Sequence, residues 1–195
     1  DPRDPGHLIA LGEQQLAEGD ARAAEATWRR ILQVESDRGR AHATLAAVFA
    51  DHDMLSDAEE QYRQAVQVDE DRVEYVRGLA NVLERPRRGE PASARQRRDE
   101  EAVRWWSKVL EMTEDRAARR EARQRIVGIW SRRGELGAKM REWRVAFTRG
   151  EPDVDAGRFL AEAYLRQRPR DVAQAEATLR RVVELEPGDV ESLLA

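Results

Sequence analysis

The sequence predicts an all-α fold, a solenoid of antiparallel helix pairs. Three observations carry that expectation. Apolar residues recur at helical rather than alternating spacing. Leu8–Val34 and His42–Val68 align at a spacing of 34 residues without a gap. In that alignment Leu11 falls on Leu45, Gly12 on Ala46, Ala24 on Ala58, Trp28 on Tyr62, Ile31 on Ala65 and Val34 on Val68. The same large–small–large order then returns down the chain. A unit of this length is one helix pair that cannot bury its apolar face alone, so stacked neighbours must supply the core.

The first unit covers about residues 5–38 and begins after a Pro5-Gly6 turn. Leu8 and Leu11 share a face. Gly19 suits the left-handed end of that helix, and Asp20 is the expected cap of the next. The second unit, 39–72, places His42, Leu45, Ala46 and Phe49 on its inner stripe, and Ser56 followed by Glu59 has the spacing of a capping box. The third, 73–116, starts on schedule with Val76, Leu79, Ala80 and Leu83, but Ala102, Trp106, Val109 and Met112 arrive ten residues late. Pro86, Pro91 and the arginines of the insert near 85–100 predict a long mobile loop there. The fourth, 117–153, has Ile126, Val127, Trp130, Gly134, Trp143, Ala146 and Phe147, with Lys139 where a small residue is expected. Its run Asp115–Arg132 predicts a first helix longer by about a turn. The fifth, 154–189, regains the pattern with Leu160, Ala161, Tyr164, Ala175, Leu179, Val182 and Leu185, and 190–195 begin a sixth helix. The expectation is about ten helices plus the start of another, in a single repeat domain over 1–195.

Composition narrows the function. Charged residues make up 37% of the chain, yet the formal net charge is only -4, so no global basic field invites nucleic acid. With no cysteine there is neither a disulfide nor a thiolate nucleophile. His7, His42 and His52 lack ligand spacing on one helix, so no metal or other cofactor is expected. No phosphate loop or nucleophile elbow occurs, which argues against an enzyme. No apolar run is long enough to span a membrane. The opening without methionine and the unfinished last helix suggest a segment of a longer protein. Of 34 basic residues only Lys108 and Lys139 are lysine, a bias that fits a GC-rich bacterial genome; cytoplasm and periplasm both remain open.

These residues resemble the tetratricopeptide repeat family from Pro5 to Asp189. Leu11-Gly12, Leu45-Ala46, Leu79-Ala80 and Leu160-Ala161 stand at its Leu-Gly pair. Ala24, Ala58, Ala102 and Ala175 stand at the small position of its second helix, and Trp28, Tyr62, Trp106, Trp143 and Leu179 at its aromatic position. Pro187 alone keeps the terminal proline. The resemblance implies a right-handed superhelix whose first helices line a concave surface, and a non-enzymatic role in binding a peptide or partner protein.

The inner positions of the first helices are therefore the candidate binding residues. They run from Ile9, Glu13 and Leu16, through Ala43, Thr44 and Ala47, to Arg77, Asn81 and Glu84. Arg125, Gly128 and Arg132 follow, then Arg158, Glu162 and Arg166. Arg77, Asn81, Arg125, Arg158 and Glu162 are the polar contacts the pattern favours, since an arginine fork suits a carboxylate or phosphate. Some members of the family clamp a terminal carboxylate with lysine and asparagine of one unit plus asparagine, lysine and arginine of the next two. Arg77 and Asn81 match the first pair, with arginine for lysine; Arg125, Asp155 and Phe159 depart from the rest. The competing reading pairs these arginines with Glu74, Glu84, Glu121, Asp155 and Glu162 on solvated faces. Trp105, beside a buried Trp106, is either half-buried on a neighbouring helix or an anchor for a partner. A structural spacer, or self-association through open solenoid ends, is the alternative function.

Overall fold

A computed structural model describes residues 4–187. They form helices α1 (Pro5–Ala17), α2 (Ala21–Arg29), α3 (Ile31–Val34), α4 (Arg38–Asp51), α5 (Leu55–Val68), α6 (Val73–Glu84), α7 (Ala92–Met112), α8 (Arg116–Arg132), α9 (Leu136–Phe147), α10 (Val154–Arg166) and α11 (Val172–Leu185). There is no strand among the described residues. The sixth helix expected over 190–195 lies outside them. The chain groups into two compact units, Asp1–Trp105 and Trp106–Ala195, with the boundary inside α7.

Aspartates start most of these helices. The carboxylate of Asp20 accepts from the Ala23 amide at 2.9 Å, that of Asp37 from Arg40 at 3.0 Å and that of Asp115 from Ala118 at 2.8 Å. Asp153 and Asp171 do the same for α10 and α11. Each satisfies an amide that the first helical turn leaves without a partner. Asp4 does so for α1, so Pro5 and Gly6 lie in its first turn rather than in the turn expected before it. The connections also repeat. Gly19, Asp53 and Gly134 all have positive φ. At each, the following amide reaches back to the carbonyl five residues earlier: Asp20 to Gln15, Met54 to Phe49, Glu135 to Trp130. This is the Schellman closure, which a glycine adopts without strain and an aspartate tolerates. The capping box expected at Ser56 and Glu59 does not form: Met54 is the cap residue of α5, and Ser56 lies inside its first turn. Glu59 is engaged elsewhere, by Arg63 and Arg87.

In the first unit the core joins Leu8, Ala24, Trp28, Ile31, Leu45, Phe49 and Ala58. Trp28 sets its geometry. Its indole donates to the Ile9 carbonyl at 3.2 Å, stacks on His52 and meets the edge of Phe49. A Cβ at Gly12 would lie 2.1 Å from the indole nitrogen, so α1 and α2 approach this closely only because residue 12 has none. Outside the core the 34-residue period reappears as ion pairs. Arg29 holds Glu25 on its own helix and Asp57 at 3.0 Å on α5. Arg63 holds Glu59 on its own helix and Glu101 at 2.9 Å on α7.

The insert departs from its expected loop. Only residues 85–91 connect α6 to α7, and 92–100 are helical. Pro91 falls just before the helix, where a fixed φ is compatible with helix entry. Arg98 is 8% exposed. It pairs with Glu90 and donates to the Leu83 carbonyl at 2.5 Å and the Arg85 carbonyl at 3.0 Å. Arg95 donates to the Glu84 carbonyl at 2.7 Å. Two arginines of the insert thus satisfy the carbonyls that the end of α6 leaves open.

In the second unit α8 has 17 residues, the lengthened helix expected from Asp115–Arg132. Its core joins Val127, Met140, Leu160, Ala163, Tyr164 and Ala175, with Trp143 half-buried against it. A second cluster packs Phe147, Ala156 and Val182. Lys139 stands at a small-residue position by leaving the core: its ammonium lies 4.9 Å from the centre of the Trp130 ring and 2.7 Å from Glu142.

Candidate inner-face residues

In the first unit, α6 buries Val76, Leu79, Ala80 and Leu83. That fixes the opposite face of the helix: Arg77 is exposed and Asn81 half-exposed, four residues apart on one side. Glu84 continues the stripe but is buried. On α4 the equivalent Ala43, Thr44 and Ala47 are half-buried and small. Trp105 is half-buried and donates to Glu101 at 3.3 Å, the carboxylate that also receives Arg63. The edge of the indole therefore borders an ion pair, and the ring is neither fully exposed nor in the core.

In the second unit the inner-face residues make ion pairs along and between helices. Arg125 reaches Glu121 one turn back at 3.5 Å and lies over the Trp106 ring at 5.9 Å. Arg158 pairs with Asp155 at 2.7 Å and Glu186 at 2.6 Å, leaving its side chain 14% exposed. Glu162 accepts from Gln124 at 3.4 Å and faces Arg120 at 3.8 Å. The pairing with Glu121 and Asp155 weighed from sequence is thus present for Arg125 and Arg158. Gly128 carries the next position of the stripe. A Cβ there would lie 3.6 Å from Arg166 and 3.7 Å from Arg132, so two guanidiniums share the space over this glycine.

Two carboxylates elsewhere are shifted by close arginine partners. The hydrogen bond from Arg98 holds the Glu90 carboxyl below the ordinary carboxylate range, and Arg40 does the same to Glu35. Among the described residues no group of histidines and carboxylates is arranged to hold a metal ion. No helix among them is long and apolar enough to cross a membrane.

Solved structures share this fold. A thermophilic TPR protein, TTC0263 of Thermus thermophilus, aligns over 98% of this chain and 96% of its own at 18% identity, with a TM-score of 0.51. The chain has the tetratricopeptide-repeat fold. MamA aligns over 96% of this chain and 94% of its own at 14% identity, TM-score 0.51. A human IFIT1 dimer with m7Gppp-AAAA aligns over 95% of this chain but 43% of its own, at 13% identity and TM-score 0.55. No protein-family model and no curated sequence matches the chain. The all-α solenoid expectation holds. Sequence reasoning missed the arginines that follow α10, because nothing in a helical period marks a residue beyond its end.

Proposed function

We propose that the chain is a non-enzymatic scaffold that binds a segment of another protein through the inner faces of its first helices. The observation that carries this is α6: with Val76, Leu79, Ala80 and Leu83 buried, Arg77 and Asn81 are presented side by side, away from the core. In the first unit the polar contacts are Arg77 and Asn81, with Trp105 as an aromatic edge. In the second they are Arg125, Arg158 and Glu162. Arg77 and Asn81 offer a guanidinium and an amide, a donor-rich pair suited to carboxylate or backbone carbonyl. A helical-repeat fold supports the reading, since such surfaces are extended and built for segments rather than small substrates. The m7Gppp-AAAA of the IFIT1 structure does not extend to this chain, whose formal net charge is -4 and whose inner stripe includes Glu162.

The test is affinity capture followed by titration of whatever is captured. Arg77→Glu with Arg125→Glu reverses two contacts at residues whose side chains lie outside the core. Loss of capture with unchanged helicity supports the inner-face assignment; unchanged capture overturns it. Concentration-dependent light scattering without any captured partner would favour self-association instead.

A further inference from the structure

The end of α8, the start of α9, the end of α10 and the connection that follows it line a cleft of about 840 Å³ in the second unit. Leu136, Leu165 and Pro169 form its apolar wall, and Arg166, Arg168 and Arg170, with Ser131 and Gln167, line the rest. All three arginines are exposed. Among the described residues none of them has a carboxylate within ion-pair distance. The nearby acids are already committed. Asp171 caps α11 through the Gln174 amide at 3.1 Å, Glu162 accepts from Gln124 at 3.4 Å and faces Arg120 at 3.8 Å, and Glu135 takes the Arg133 guanidinium at 2.8 Å. Arg166 also reaches over Gly128 toward Arg132, so positive charge extends from the cleft onto α8.

We propose that this cleft is a second binding site, separate from Arg77, Asn81, Arg125, Arg158 and Glu162 though it takes Arg166 from the end of the inner stripe, for an acidic linear segment of another protein. Three guanidiniums without internal counter-charge favour carboxylates, each able to take a bidentate pair. The wall of Leu136, Leu165 and Pro169 favours an apolar side chain between those carboxylates. The volume lies in the range of ordinary ligand sites, roughly 300–1,000 Å³, which holds a few residues of peptide. No aromatic side chain lines the cleft, so it has no platform for nucleic-acid bases.

The probe is a short fluorescein-labelled peptide of alternating glutamate and leucine, titrated with the full chain and read by fluorescence anisotropy. Binding should weaken at least about tenfold in Arg166→Ala/Arg168→Ala/Arg170→Ala, and with added salt. A glutamine-for-glutamate peptide should bind as poorly. Gly128→Glu provides a second variant. Its Cβ has ordinary contact distances, and its carboxylate would occupy the space beside Arg166 and compete with the peptide; Gly128→Gln should not compete. Equal binding of the glutamine peptide, or full binding by the triple variant, overturns the proposal. So does tighter binding of a single-stranded RNA of equal length. Because Arg77 and Arg125 lie outside the cleft, Arg77→Glu/Arg125→Glu should leave this peptide's affinity unchanged, which separates failure here from failure of the inner-face reading.

Discussion

In α1–α5 an aromatic ring closes on a glycine at the small packing position; in α8–α11 a glycine of the inner stripe faces two arginines. Trp28 lies against Gly12 so closely that no side chain fits between them. Gly128 leaves room for a side chain and has guanidiniums at its edge. The aromatic position of the repeat also differs between them. Trp28 is 1% exposed within a large shared core. Trp143, at the same repeat position, is half-buried and stacks on Phe159 at 5.1 Å. Packing glycines occur in both regions, since Phe147 closes on Gly157 as Trp28 does on Gly12, whereas Gly128 is left to charge. Glycine in a helix is a cost unless something needs its space, so each glycine marks the kind of neighbour its own position was built around.

Removing the aromatic should give the widest separation. Trp28→Ala loses a buried indole and its hydrogen bond to Ile9, and is expected to cost about 3–5 kcal/mol. Trp143→Ala should cost about half as much, because part of that ring already faces water. Urea denaturation of both variants checks the ratio; equal losses would mean that the two positions are packed alike.

Arg98 comes next. Arg98→Ala leaves Glu90 and the carbonyls of Leu83 and Arg85 short of a donor, at a cost of about 3 kcal/mol. The pair also predicts a pH effect. Because Arg98 lowers the folded-state pKa of Glu90, its stabilisation is present above the unfolded value and is lost as pH falls through the folded value. The wild type should lose stability on acidification in that range more steeply than Glu90→Gln. Parallel thermal melts in acid would sink the assignment if the two curves fell together.

The glycines themselves should respond with opposite signs. Gly12→Ala drives a methyl into the Trp28 indole and should destabilise by about 1–3 kcal/mol. Gly128→Ala meets only ordinary contacts and should stabilise by about 0.5–1 kcal/mol, the gain of alanine over glycine within a helix. Denaturant midpoints for the pair decide whether glycine is held at each position by a neighbour or by nothing.

Much of the fold was legible because it rests on local and periodic signals. Gly19, Asp20, Gly134 and the lengthened α8 follow from residue type and spacing alone. The insert was not legible in the same way. Pro86 and Pro91 signal a break, but they bound a connector of residues 85–91 and leave 92–100 free to be helical. Arg95 and Arg98 look like solvated charge until the end of α6 supplies carbonyls for them, and that partner lies outside any local window. Ser56 and Glu59 show the converse: the capping-box spacing is present, but the Schellman closure at Asp53 starts α5 earlier and two arginines take Glu59. Inner-face residues could be listed from the repeat, whereas their exposure depended on distant partners such as Glu186 for Arg158.

The smallest effect tests whether the repeat extends to the surface. Arg29–Asp57 and Arg63–Glu101 occupy matching positions of successive units once the ten-residue insert is allowed for. Each links the second helix of one unit to that of the next. The two pairs differ in setting. Arg29 and Asp57 are 42% and 41% exposed, whereas Glu101 is 25% exposed and shares its carboxylate with Trp105. Solvent screening should hold the first coupling to about 0.2–0.5 kcal/mol, and the drier pair should approach about 1 kcal/mol. Double-mutant cycles with alanine at each pair measure both couplings without assuming what either residue does alone. A larger coupling for Arg63–Glu101 that persists in high salt would show the second-helix stack tightening toward α7. Equal, salt-sensitive couplings would show that the matching positions share only a sequence period.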